Sequence, residues 1–253
     1  MIIKLLFVFF TVSITSHVEE SKNQGESLRK IENNAFRVGE KLTFSIGWEF
    51  ISAGTAILAV ENTTTVNDRP CYAISAVTNS NAFFSTLYKV RNRLETYVDM
   101  EGMYPLRYVK NTSEGGYKRN FVVDFHHDKG KASIADVDSG QTEVNVPVFV
   151  QDIISAFYYI RTQPLAIGNE ITLATFDNGK YRDAVVKVLR KERVSVSAGD
   201  FACVVVQTPI GPFKNRSDLN IWLTDDARRI PVLMKSKIAV GSVRAELESM
   251  EGI

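Results

Sequence analysis

Cysteine, histidine and tryptophan are scarce in this chain, at two, three and two among 253 residues. Two cysteines cannot build a disulfide scaffold or a thiolate zinc site. Neither sign of charge dominates, because 30 Lys and Arg stand against 29 Asp and Glu. Composition therefore offers no electrostatic case for DNA, RNA or an anionic membrane as partner. Gly-rich phosphate loops and a Gly-x-Ser-x-Gly elbow are missing, and His17, His126 and His127 stand in no catalytic motif. No catalytic residue, cofactor or metal is expected, and the chain reads as a non-enzyme. What is present is ordinary for a globular domain: 45% hydrophobic and 23% charged residues.

Only one apolar run stands out. Met1-Ile2-Ile3-Lys4 precedes Leu5–Ile14, and Thr15-Ser16 follow. A lysine, a short apolar stretch and small residues are the three parts of a secretory signal, so residues 1–16 read as a signal peptide. The run is too short to span a bilayer, which takes about 20 apolar residues. The expectation is an exported protein, in the periplasm or secreted, with no transmembrane segment after cleavage. Residues 17–35 read as a polar linker and 36–253 as one β-rich domain.

From Leu42 the chain alternates strictly. Leu42, Phe44, Ile46, Trp48 and Phe50 fall on one face, and Lys41, Thr43, Ser45, Gly47 and Glu49 on the other. Thirteen more short stretches read as strands, from Thr55–Thr64 to Ser242–Glu248, separated by turns such as Asn67-Asp68 and Asp177-Asn178-Gly179. One segment differs: Asp152 can cap a helix in which Ile153, Phe157 and Ile160 recur at helical spacing until Pro164. The expected fold class is mainly β, a curved antiparallel sheet forming a barrel or half-barrel with one short helix, 152–161. That helix covers an open sheet face or plugs a barrel end.

The chain also resembles itself. Cys71 recurs as Cys203, Leu94 as Leu219, Tyr97 as Trp222 and Pro105 as Pro231, at nearly constant offsets. Each unit runs from a Cys-bearing strand to an aromatic-bearing strand, an acidic turn and a proline entering the next strand. Two repeated halves, 36–150 and 165–253, joined by the helix, are the expected organisation.

Phe36-Arg37-Val38-Gly39-Glu40-Lys41-Leu42, then Ala53-Gly54-Thr55-Ala56, then Asp152, Ser155, Tyr158 and Arg161, open a longer pattern. It closes with Ile221-Trp222-Leu223-Thr224-Asp225-Asp226, Arg229-Ile230-Pro231-Val232 and Val240-Gly241-Ser242-Val243. In order and spacing these segments resemble an exported bacterial family catalogued as a domain of unknown function, DUF3108, over about residues 36–247. The resemblance implies an exported β domain and no particular activity. The expected architecture is also similar to that of periplasmic carriers of lipoproteins and lipids, an analogy of shape alone.

Candidate sites are few. His126 and His127 are strand neighbours pointing to opposite faces, so they cannot easily share a metal. Asp225, Asp226 and Arg229 read as an acidic turn, with a calcium or acid/base site as the sharper alternative. Cys71 and Cys203 are either a possible disulfide or, the preferred reading, two separate buried thiols. Asn81–Tyr88 places large apolar residues where a loop would be polar, and they either fold onto the core or form a rim or lid to a cavity. Pro209–Phe213 is its counterpart in the second half. A curved sheet holding a lipid, an acyl chain or a lipoprotein segment beside Trp48, Phe83, Phe84, Leu87, Tyr88, Phe213 and Trp222 is the leading expectation, in a role in envelope maintenance. A protein–protein adaptor working through sheet edges and loops is the alternative, and a hydrolase or metal enzyme using Asp225, Asp226 and a His is the third.

Overall fold

Alternating burial runs along strand after strand. In β1 (Lys41–Trp48), Leu42, Phe44 and Ile46 are buried; in β4 (Val90–Asp99), Val90, Leu94 and Val98 are buried while Arg91 and Arg93 face solvent. A period of two with one apolar face is what a half-buried antiparallel sheet requires. The computed structural model describes residues 29–208, 218–237 and 241–253. Residues 1–16, read from sequence as a signal peptide, the start of the polar stretch and Pro209–Phe213 lie outside the described residues.

The remaining strands of the first half are β2 (Ile51–Val66), β3 (Arg69–Ser80), β5 (Pro105–Glu114), β6 (Tyr117–His126), β7 (Lys131–Asp136) and β8 (Gly140–Asn145). The second half holds β9 (Glu170–Asp177), β10 (Lys180–Val196), β11 (Gly199–Thr208), β12 (Leu219–Thr224), β13 (Pro231–Lys237) and β14 (Ser242–Glu251). Among the described residues two α-helices accompany them, α1 (Ala82–Leu87) and α2 (Ile153–Arg161). The stretch expected at Glu143–Val148 forms its strand three residues earlier. Asp136 Oδ1 accepts from Asp138 N and Ser139 N and tightens the turn, and Pro147 supplies no ladder donor.

All fourteen strands join one antiparallel sheet in the order β8-β7-β6-β5-β4-β3-β2-β1-β14-β13-β12-β11-β10-β9. The chain's outer strands therefore pair at the sheet's centre, and β8 and β9 are its two open edges. The sheet curls until the β9–β10 turn reaches β5 and β6. Lys110 Nζ meets Asp177 Oδ1 at 3.1 Å, Arg119 Nη1 donates to Asn178 Oδ1 at 3.1 Å, and the Phe125 and Phe176 rings meet edge-on at 5.5 Å. Gln151 covers part of the β9 edge, its N–H donating to Ala174 O and its carbonyl accepting from Phe176 N.

The two halves share register landmarks. Gly39 N bonds Val60 O and Val60 N bonds Glu40 O, both at 2.8 Å; Gly168, Val188 and Asn169 repeat this pattern at 2.9 Å. A bulge between Val60 and Asn62 faces Ile74 and Ala73, and one between Val188 and Arg190 faces Val206 and Val205. A shift after Tyr97 admits Pro105, and a shift after Trp222 admits Pro231. Met103 (φ 53°) and Arg229 (φ 48°) hold the left-handed conformation two residues before those prolines. The first half adds β7 and β8, which occupy the edge of β6 and leave β9 without a full partner.

Helix α2 fills the concave side. Asp152 Oδ1 caps it through Ile154 N (2.8 Å) and Ser155 N (3.0 Å), and Thr96 Oγ1 of β4 donates to Asp152 Oδ2 at 2.5 Å. Ile154, Tyr158 and Ile160 belong to the same continuous buried core as Phe44, Leu58, Phe125 and Val206.

Candidate functional site

Because neighbouring strands run antiparallel, alternate turns gather at one end of the sheet. That end holds the β1–β2 turn, α1 between β3 and β4, and the β5–β6 turn. It also exposes the largest apolar side chains. Phe50 is 92% exposed, Phe83 65% and Leu87 61%, with Ile51 and Tyr117 beside them. Isolated exposed apolar residues are normal, but a group of them at one end of a molecule is not.

These side chains are held firmly. Glu49 takes a left-handed turn (φ 51°) after Trp48, so Phe50 leaves the alternating face it was expected to share and points into solvent. Asn81 Oδ1 accepts from Phe84 N at 2.9 Å and caps α1, while Asn81 Nδ2 donates to Ser52 O at 2.7 Å, pinning the helix to β2 beside Ile51. Ser80 Oγ accepts from Val90 N at 2.9 Å and lies 2.7 Å from Ser85 Oγ. Tyr88 packs over Gly115, where a Cβ would fall 2.6 Å from its ring. With its backbone fixed, α1 sends Phe84 into the core and Phe83 and Leu87 outward, four residues apart on one face.

The sequence-predicted ligand set is only partly brought together. Phe83, Phe84, Leu87 and Tyr88 share α1 or its end, and Trp48 lies half-buried at the same end of the sheet, packed against the core. Trp222 is elsewhere: it is buried over Cys203, Val205 and Val232 and donates its indole N–H to Glu192. Phe213 lies outside the described residues. Cavities of about 390, 370 and 480 Å³ are present, and none is lined by a member of that set. Among the described residues, the members of that set at this end that reach solvent form an apolar rim, with Phe83 and Leu87 outermost.

The two thiols are free and buried. Cys71 sits under Tyr104 and Leu106, Cys203 under Trp222, and six strand spacings of about 4.8 Å separate β3 from β11. Each thiol packs in its own buried cluster, and neither is bonded to the other in this structure. Burial pushes both thiols up to about 11. Asp226 Oδ1 accepts from Thr224 Oγ1 at 2.7 Å and from the Arg228 and Arg229 amides, and Asp225 pairs with Lys191 at 2.7 Å and with Arg229 at 3.5 Å. Their carboxyls are held below the usual range; hydrogen bonding to Lys191 dominates for Asp225, and bonds to Thr224 and Arg228 outweigh desolvation for Asp226. Both carboxylates are occupied in the turn. Among the described residues no group of three or more His, Cys, Asp and Glu side chains could hold a metal ion.

His126 ends β6, and His127 opens a 3-10 turn, His127–Lys129, instead of continuing the strand. His126 meets Ser133 Oγ at 2.9 Å on the sheet, while buried His127 donates from Nε2 to Pro105 O at 2.7 Å and accepts at Nδ1 from Phe149 N at 3.1 Å.

The family model of DUF3108, a protein of unknown function, matches residues 43–248. The chain belongs to the DUF3108 family. A search among curated proteins gives no significant match. The DUF3108 chain shares its fold with the crystal structure of a β-barrel-like DUF1849 protein from Brucella abortus. The TM-score is 0.56 at 11% identity, over 89% of this chain and 99% of that one. A protein provisionally described as a lipoprotein, from Parabacteroides distasonis, matches at TM-score 0.36 and 12% identity over 88% and 99% of the two chains. One provisionally described as exported, with a YmcC-like fold, from Bacteroides fragilis, matches at 0.33 and 14% over the same shares. Among the described residues of the DUF3108 chain, no helix is long and apolar enough to cross a membrane.

Proposed function

We propose that this chain is a non-catalytic exported protein of the cell envelope that engages an apolar partner, a lipid or an acylated lipoprotein segment, through the rim of Phe50, Ile51, Phe83 and Leu87. One observation carries the reading: α1 is fixed by Ser80, Asn81 and Tyr88, yet it presents Phe83 and Leu87 to solvent. Burying each such side chain is worth about 1.5–3 kcal/mol before the costs of association. A rigid α1 avoids part of those costs. The leader-like residues 1–16 support export. The paired bulges and proline entries support reading the domain as a duplication of two related halves.

Flotation with neutral phosphatidylcholine vesicles tests it. The native chain is expected to float and Phe83→Ser/Leu87→Ser to stay behind; a native chain that does not float overturns the reading. A second reading, an adaptor for another protein, is favoured by β8. Its residues Gly140–Thr142 are exposed and its outer edge has no strand neighbour among the described residues, which suits addition of an extended peptide.

A further inference from the structure

Immediately beneath the rim, on the convex face of the sheet, four strands build a polar groove of about 370 Å³. Register places its side chains in two rows. Asn79, Arg91, Ser113 and Lys118 stand side by side across β3, β4, β5 and β6, and Val77, Arg93, Asn111 and Asn120 form the next row down. These residues alternate outward, so their side chains share one face. The groove thus offers three cations and three carboxamides, all exposed.

Its charge is not balanced locally. Arg93 is engaged by Glu95 at 2.6 Å and by Glu61 at 3.6 Å. Among the described residues, Arg91 and Lys118 have no ion-pair partner, nor does exposed Lys89 at the exit from α1. The acids of this part of the rim point elsewhere: Glu114 accepts from Asn92 Nδ2 at 2.7 Å, and Glu49 accepts from Ser242 N. The acids Asp138 and Asp218 lie farther round the same end, on the β7–β8 turn and before β12. A net charge of +1 over the whole chain conceals this excess.

Chain connectivity joins groove to rim. Asn79 lies two residues before Asn81, the cap of α1; Arg91 follows Tyr88 by three; Lys118 follows Tyr117 directly. An apolar edge with cations and amide donors directly behind it matches an interface where acyl chains meet phosphate headgroups. Guanidinium binds phosphate in two prongs, and the carboxamides can donate to its remaining oxygens.

We infer that this end of the molecule docks on a bilayer surface containing anionic phospholipid, with Phe83 and Leu87 among the acyl chains and the Arg91–Lys118 groove holding a headgroup phosphate. The inference rests on the rim being an apolar contact surface, as proposed above, and adds the chemistry of what it contacts.

Co-flotation of the full chain with phosphatidylglycerol-containing and with pure phosphatidylcholine vesicles tests it. Tighter binding to the anionic vesicles is expected, and Arg91→Ala/Lys118→Ala should lose about five-fold for each cation removed, with no loss on neutral vesicles. Arg91→Lys should keep the general attraction and lose any two-pronged contact. Raising salt to about 0.5 M should reduce the anionic preference. Equal binding to both vesicle types overturns the groove and leaves the rim reading intact. Anionic binding that survives Phe83→Ser/Leu87→Ser overturns the rim and leaves the groove. Binding of inorganic phosphate at the groove, measured by calorimetry, without any vesicle binding overturns the bilayer as its source. Each variant alters exposed side chains only, and an unchanged unfolding midpoint confirms that it is folded.

Discussion

Arg161 and Glu40 form a buried two-pronged ion pair, Nη1 to Oε1 and Nη2 to Oε2 at 2.7 Å each, that ties the interior helix to the residue just before β1. The Arg161 guanidinium also donates to Ala35 O and Arg228 O at 3.0 Å and lies over the Phe36 and Tyr158 rings at 5.4 and 5.0 Å. One side chain therefore joins the segment entering the sheet, helix α2 and the β12–β13 turn. Arg161→Met leaves Glu40 buried without its cation and is expected to cost about 3–5 kcal/mol in urea unfolding. Arg161→Met/Glu40→Leu should recover much of that loss, because no lone charge remains buried. A double variant as unstable as the single one would show that the pair is not the connection.

His127 is expected to make stability depend on pH. Burial holds its imidazole down to about 4 from an ordinary 6.5, and Nδ1 already accepts the Phe149 amide. Between those values the unfolded chain binds a proton that the folded protein refuses. Stability attributable to His127 is thus complete above about pH 6.5 and is lost as pH falls toward 4, by roughly 3 kcal/mol. Burial raises the Asp152 carboxyl and acts in the opposite sense at acid pH, so the comparison must be with His127→Gln. Urea midpoints for the native chain and this variant should converge as pH falls through the window; parallel curves would contradict the assignment.

Neither thiol should react in the folded state. Both are buried, free and pushed up to about 11. A thiol reagent at pH 8 is expected to label neither cysteine natively and both in denaturant, and a reductant should leave the melting temperature unchanged. A melting temperature that falls on reduction would contradict this.

Gly54 controls how closely β2 and β3 approach beneath α1. A Cβ there would fall 2.2 Å from Asn79 O, a backbone atom that cannot step aside. Gly54→Ala should cost about 1–3 kcal/mol and loosen the Asn81–Ser52 anchorage of α1. Thermal unfolding and amide exchange at residues 82–87 measure the two effects together.

The strands were legible because each carries its own record of one buried and one wet face, as Leu42, Phe44 and Ile46 show in β1. Helix α2 was legible from Asp152 and the spacing of Ile153, Phe157 and Ile160. What was hidden depends on contacts between distant residues. Arg161 reads as an ordinary basic helix end until the fold brings Glu40 to it. Lys110 looks like an outward lysine in a strand, yet it is buried and paired with Asp177 across the curl. Phe50 continued the alternation in sequence, and only the turn at Glu49 takes it off that face. The groove escaped because its cations belong to separate strands: register gathers them, and composition averages them away. A large apolar residue inside a two-residue turn was the signal for Phe50, and it is readable in sequence.

Hydrogen–deuterium exchange of the full chain with and without phosphatidylglycerol-containing vesicles tests the central claim most directly. New protection confined to residues 50–54, 82–91 and 113–120 is the predicted result. Unchanged exchange there, with protection appearing along the β8 edge at 140–145, would contradict it.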